Sequence, residues 1–186
     1  MIIWINGAFG VGKSSVTTEL LRLAPDLSVF DPEEIGELVT AVRPAPSGDF
    51  QELPVWRRLV GTVAGALAEH APGPLLVPMT LLVEDYARQI FTGVRNQGHH
   101  LIPVVLHCAP DELAERIDRA AATDEPAVAA SRRDWRHARR PDYYQALPWL
   151  RRLGQPQVVD TTRLSAVEVA HRVLRSAQIT IGSIDD

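Results

Sequence analysis

Residues 2–14 read Ile-Ile-Trp-Ile-Asn-Gly-Ala-Phe-Gly-Val-Gly-Lys-Ser. From Gly7 to Ser14 the stretch satisfies G-x-x-x-x-G-K-[ST] at every position. A short apolar run, Ile2 to Asn6, leads into it and reads as a buried strand. A helical pattern, Lys13 to Leu23, leads out of it. Strand, glycine loop and helix in that order are the setting in which this motif cradles phosphate. Such a loop turns its backbone N–H groups inward, and the helix N-terminus adds partial positive charge. At ordinary residue frequencies a chain of this length matches the pattern by chance about once in a hundred or less. The glycines are spaced G-x-x-G-x-G, which is not the dinucleotide fingerprint G-x-G-x-x-G.

Of the nineteen Lys and Arg residues, Lys13 is the only lysine. A flexible point charge suits the β- and γ-phosphates where the larger, directional guanidinium fork does not. Gly7, Ala8, Phe9, Gly10, Val11, Gly12, Lys13, Ser14 and Ser15 therefore form the expected nucleotide-binding set, with ATP as the nucleotide. The Ser14 hydroxyl is the expected Mg²⁺ ligand.

Working outward, short apolar runs alternate with helical patterns. Strands are expected at Leu27–Asp31, Leu75–Met79, Leu101–His107 and Gln157–Asp160. Helices are expected at Glu33–Arg43, Trp56–His70, Val83–Asn96, Asp111–Ala121 and Ser165–Ala177. This order predicts an α/β fold, a five-stranded parallel sheet with helices on both faces. The strands lack alternation, as expected when both faces are covered. Ligands of such sheets bind beyond the carboxyl ends of the strands. The 186 residues suit one domain, with an acceptor-side loop at about 44–56 and an arginine-rich helical lid at about 123–153.

Three further features bear on chemistry. Asp31 closes the second strand, beside the glycine loop. A carboxylate there can take or orient the proton of an acceptor hydroxyl as the γ-phosphoryl moves; Asp before Pro-Glu-Glu is also a helix N-cap signal. Glu33 and Glu34 read as first-turn acids that favour the helix dipole. In SRRDWRHARR, residues 131–140, Arg132, Arg136, Arg139 and Arg140 fall on one face of a helix with Arg133 on its flank. Arginines suit oxyanions, and a closing lid can bring them to the transferring phosphoryl group. Arg133 and Arg136 are the expected catalytic pair. Arg116 and Arg163 are expected near the nucleotide, Arg116 at its base or phosphates and Arg163 beside Thr161 and Thr162 at the purine. No carboxylate ends the third strand, LLVPMT, so Mg²⁺ is expected on Ser14, phosphates and water, with Thr80 assisting.

Composition narrows the field. The formal net charge of −4 gives no general attraction to nucleic acid or to an anionic membrane. The single cysteine, Cys108, cannot form an internal disulfide, which makes a cytoplasmic location the expectation. The N-terminus has no basic n-region and is not read as a signal peptide. No Cys/His set has metal-ligand spacing. Trp56, Trp135, Trp149, Tyr143 and Tyr144 are candidates for an acceptor pocket or for packing.

The segments MIIWINGAFGVGKSS, VFDPEEIG and LLVPMT, in this order, resemble the tunicamycin-resistance ATP-binding proteins, within the P-loop kinase-like group. The similarity runs along most of the chain; the lid and C-terminus match only in character. It implies the α/β P-loop fold, ATP binding and antibiotic resistance. Relatives of this layout phosphorylate small molecules, with an aspartate after the second strand as base, the place of Asp31 here. The resemblance also implies tunicamycin binding and membrane association through a C-terminal amphipathic helix. Val167, Ala170, Val173, Leu174 and Ala177 make such an apolar stripe, yet the same stripe serves a helix packed on its own sheet, the preferred reading.

The expected function is thus ATP-dependent transfer of the γ-phosphoryl to a hydroxyl of a small-molecule acceptor, a nucleoside-type antibiotic among the candidates. Two alternatives stay open. One is a nucleotide-dependent drug-binding protein without chemistry. The other is a polynucleotide 5′-hydroxyl kinase that uses the arginine stripe, which the acidic net charge disfavours. Oligomeric state and the choice between ATP and GTP are not legible.

Overall fold

The computed structural model describes residues 1–122 and 126–179. The first three positions of the expected lid, 123–125, lie outside the described residues. Five strands form the sheet: β1 (Ile2–Gly7), β2 (Ser28–Val29), β3 (Leu75–Pro78), β4 (Leu101–His107) and β5 (Gln157–Asp160). Their spatial order is β2-β3-β1-β4-β5, and every pairing is parallel. The helices among the described residues are α1 (Lys13–Leu23), α2 (Pro32–Val42), α3 (Pro54–His70), α4 (Glu84–Asn96), α5 (Pro110–Ala121), α6 (Pro126–Ala138), α7 (Arg140–Leu150) and α8 (Ala166–Ser176).

All six residues of β1, the central strand, are buried. Period-two alternation sends Ile3 and Ile5 into one core, with Leu20 of α1 and Val173 of α8. Ile2 and Trp4 enter the opposite core, with Trp56 and Val60 of α3 and Ile90 of α4. This is the α/β sheet covered on both faces that the apolar runs require. It also settles the C-terminal helix. Val169, Ala170, Val173 and Leu174 are buried in the first core, so the apolar face of α8 is spent on the sheet. Among the described residues no helix is long and apolar enough to cross a membrane.

Two expectations are corrected. β2 is shorter than Leu27–Asp31 because it is an edge strand, hydrogen-bonded only to β3. Beyond it Asp31 turns to cap α2, and Pro32 has no N–H to donate. The arginine stripe is not one continuous helix face either. α6 ends at Ala138 and α7 begins at Arg140, with Arg139 between them. Pro141 explains the break: inside a helix it lacks a donor and its ring clashes with the carbonyl four residues back, whereas the first turn of a new helix accepts it.

Candidate active site

The ends of β1, β3, β4 and β5 meet at the carboxyl edge of the sheet, where the glycine loop starts. Asn6 anchors it. Its side-chain oxygen accepts from the N–H groups of Gly7 (2.7 Å) and Leu81 (3.0 Å), and its amide donates to the Leu81 carbonyl (2.9 Å). The loop then runs close over β4. A Cβ on Gly7 would stand 2.7 Å from the Leu106 carbonyl oxygen, which excludes any larger residue there. Gly12, at φ +106°, caps α1 in a conformation that side-chain-bearing residues rarely adopt. The first-turn amides of α1 have no intrahelical acceptor and form the donor set that a phosphate needs.

Lys13 Nζ donates to the carbonyls of Gly7 (3.2 Å) and Ala8 (2.9 Å) and to Thr80 Oγ1 (2.6 Å). It lies 5.5 Å from the centre of the Phe9 ring. Lys13 as a whole is half-buried, but these groups enclose its amine. Burial pushes its pKa down to about 7; the Glu33 carboxylate opposes that shift, and the Arg136 guanidinium adds to it. Thr80 stands just beyond β3. Its hydroxyl donates to the Gly7 carbonyl (2.9 Å) while accepting from Lys13, so a neutral hydroxyl bridges lysine and loop. Ser14 and Ser15 are exposed on the first turn of α1.

Arg116 of α5 holds the far side of the loop. It donates to the Val11 carbonyl (3.0 Å), to Thr161 Oγ1 (3.0 Å) and to the Thr161 carbonyl (2.6 Å), with Glu112 as its ion-pair partner (2.7 Å). The sequence placed Arg116 near the nucleotide; the structure makes it a strut between the glycine loop and the turn after β5. Arg163, in that same turn, is exposed.

Asp31 caps α2, its carboxylate accepting from the Glu33 N–H (2.9 Å). It does not line the large cavity beside the glycine loop; Glu33 does. Burial and the neighbouring Asp31 charge raise the Glu33 pKa against the pull of Lys13. Glu33 is thus the carboxylate that sequence reasoning passed over as a dipole-favouring acid. Its only sequence signal was its place two residues after the strand-closing aspartate.

The cavity encloses about 650 Å³. Phe9 and Thr80 close its phosphate end, Phe50 and Gln51 come from the 3-10 turn at Phe50–Glu52, and Trp135 and Trp149 come from the lid helices. Gln51 donates to the Thr80 carbonyl (3.0 Å). Its own carbonyl accepts from buried Arg57, whose guanidinium also bonds Gln89 (2.8 Å) and stacks 4.2 Å from the Tyr86 ring centre. Of the aromatic candidates, Trp135 and Trp149 line the cavity, while Trp56 and Tyr143 are fully buried in the cores. Tyr144 donates to the Cys108 carbonyl (3.0 Å).

The lid arginines diverge. Arg136 comes near enough to Lys13 to depress its pKa. Arg139 lines the cavity, 5.4 Å from the Trp135 ring centre and 3.6 Å from Asp142. Arg140 donates to the Pro110 carbonyl (2.8 Å). Arg133 pairs with its neighbour Asp134 (2.9 Å), and the structure does not bring it to the loop. Trp135 meets Phe9 edge-on at 4.6 Å, joining lid to glycine loop.

Comparison with known proteins agrees with this fold. No curated protein matches the sequence. Among solved structures, the chain is similar to a tunicamycin resistance protein from Deinococcus radiodurans, at 25% identity and a TM-score of 0.70 over 97% of this chain and 98% of that one. The fold is shared with a gluconokinase from Sinorhizobium meliloti (18% identity, TM-score 0.61, 95% and 90% covered). It is shared also with the Mycobacterium tuberculosis APS kinase in complex with AMPPNP and APS (19% identity, TM-score 0.63, 95% and 96% covered). The family model AAA_33, described as an AAA domain, matches residues 2–141, the span that carries the glycine loop, the first four strands and the start of the lid, and the chain belongs to this P-loop kinase-like family.

Proposed function

We propose that the protein is an ATP-dependent small-molecule phosphotransferase. The observation that carries the reading is one continuous site: Lys13, Thr80 and Phe9 of the phosphate end abut a 650 Å³ cavity into which Glu33 faces. Pockets of this size take small ligands. The nucleotide phosphates would lie on the glycine loop, the first turn of α1 and Lys13. The exposed Ser14 hydroxyl, with Thr80 nearby, fits Mg²⁺ as its protein ligand, although no carboxylate follows β3. The metal supplies charge neutralisation on the phosphates.

The acceptor oxygen attacks the γ-phosphorus, the bond to the β-bridging oxygen breaks, and ADP leaves. The acceptor proton passes to a carboxylate. Asp31 is the residue named from sequence; Glu33 lines the cavity, which favours it as the acceptor of that proton, and burial raises its pKa. Arg136 and Lys13 offset the charge that develops on the transferring group. In this reading Arg116 and Arg163 border the nucleotide rather than the acceptor. An antibiotic acceptor is the finer form of the proposal, supported by the likeness to the Deinococcus radiodurans protein.

Thr80 in place of a carboxylate favours a second reading, nucleotide-linked drug binding without transfer. The deciding test is ADP release with Mg-ATP across tunicamycin, chloramphenicol, nucleosides and nucleoside monophosphates, with Lys13→Ala as blank and mass spectrometry of each acceptor. A phosphorylated product supports transfer. ATP-dependent drug binding without product supports the second reading.

A further inference from the structure

Three carboxylates line the cavity beside the glycine loop: Glu33, Asp49 and Asp142. Among the described lining residues Arg139 is the only arginine, and its guanidinium is already shared between Asp142 and the Trp135 face. Arg57, buried behind the 3-10 turn, bonds Gln51 and Gln89, and Arg140 donates to the Pro110 carbonyl. Among the described lining residues, a carboxylate or phosphate on an acceptor would find a single guanidinium, already paired with Asp142. It would meet Glu33 and Asp49 beside the Arg139–Asp142 pair, and like charges in one cleft disfavour a ligand.

The walls supply the opposite invitation. Phe50, Trp135 and Trp149 present rings, Met79 and Leu82 add apolar surface, and Gln145 adds an amide. Rings beside carboxylates accept a flat body, and they attract a cation through both the ring faces and the charges. Resting on the phosphotransferase reading, we infer that the acceptor is an uncharged or cationic hydroxyl compound with a flat or apolar body, and that anionic metabolites are excluded. APS, bound in the Mycobacterium tuberculosis neighbour, is an anion, so the shared fold would serve a different charge class here.

The test uses the full chain saturated with Mg-AMPPNP and two charge-matched triplets. One is tyrosol, tyramine and 4-hydroxyphenylacetate; the other is uridine, 5′-amino-5′-deoxyuridine and uridine 5′-carboxylic acid. Binding is read by calorimetry and by saturation-transfer NMR. The neutral and cationic members of at least one triplet should bind about tenfold or more tighter than the anion. Glu33→Gln and Asp142→Asn, which keep shape and remove charge, should narrow that gap, with thermal midpoints confirming that each variant is folded. Equal or tighter binding of the anions overturns the inference, and so does binding of none of the six. An anionic acceptor found phosphorylated in the ADP assay sinks the inference and leaves phosphotransfer standing. Charge discrimination without any product favours the binding reading over phosphotransfer and leaves the charge class of the ligand standing.

Discussion

The glycine loop and the acceptor cavity lie side by side, yet they are built differently. The loop is tied at every stage: Asn6 at its start, Thr80 and Lys13 across its middle, Arg116 at Val11. Its chemistry resides in backbone groups, and its side chains hold that backbone in place. The cavity draws single side chains from α2, the 3-10 turn, α6 and α7. Several of them, such as Trp135 at 46% exposure, are only partly packed. The contrast separates a preorganised electrostatic site from a surface that defines a ligand, and substitutions should divide along the same line.

The largest effect is expected at Lys13. Lys13→Met should lower phosphoryl transfer by about 10³-fold or more, while leaving the free protein more stable near neutral pH. The amine titrates near 7 in the folded protein and at 10.5 when unfolded. Between those values the unfolded chain binds the extra proton, so stability rises with pH across that window. Urea unfolding at pH 6.5, 8 and 9.5 should show that rise in the native chain and less of it in the variant. Phosphate binding restores the lysine charge, so nucleotide binding at pH 8 should take up protons, read by calorimetry in buffers of different ionisation heat. A nucleotide-binding heat independent of buffer would contradict the buried-amine picture.

The second effect separates the two carboxylates after β2. Glu33→Gln should lower turnover by about 10²-fold or more. Asp31→Asn should cost less, because asparagine can still accept from the Glu33 N–H and cap α2. The reverse ranking in kcat would return the base to Asp31, where the sequence first put it.

Third comes the strut. Arg116→Ala removes donors to Val11 and Thr161 at once, and the carbonyls it leaves lose part of the loop's restraint. The Michaelis constant for ATP should rise about tenfold, with a loss of roughly 1–3 kcal/mol in stability. Arg116→Lys should rescue little, since one ammonium cannot reproduce the forked contacts. Full rescue by lysine would mean that charge, not geometry, is what the loop requires.

The same contrast governs how much the sequence disclosed. G-x-x-x-x-G-K-S was legible because consecutive residues carry the function. β4 was legible to the residue because an apolar run marks a strand covered on both faces, and β5 because its short Val-Val run lies between turn residues. The cavity was not legible, because Glu33, Asp49, Gln51, Trp135 and Asp142 share no spacing and meet only through the fold. Which side of α2 faces the cavity depends on how that helix leaves an edge strand, and two glutamates in a row do not encode it. The break in the lid was encoded: Pro141 favours the start of a new helix over continuation, and the spacing of four arginines does not show it.

That break leads to the smallest expected effect and the finest test of the contrast. Arg133 and Arg136 are three residues apart, and both were named from sequence as partners of the phosphoryl group. On α6 they point to different neighbours: Arg136 senses Lys13, while Arg133 pairs with Asp134 in solvent. Exposed pairs of that kind contribute little, roughly 0–1 kcal/mol. Arg136→Ala should therefore lower kcat by about tenfold or more, as befits a cation beside a developing oxyanion. Arg133→Ala should change it less than about twofold. Raised ionic strength should leave this ranking in place, because a partly enclosed charge is screened less than an exposed one. Equal losses from both substitutions would mean that α6 rotates when the site closes, so that the arginine stripe acts as a unit despite the helix break.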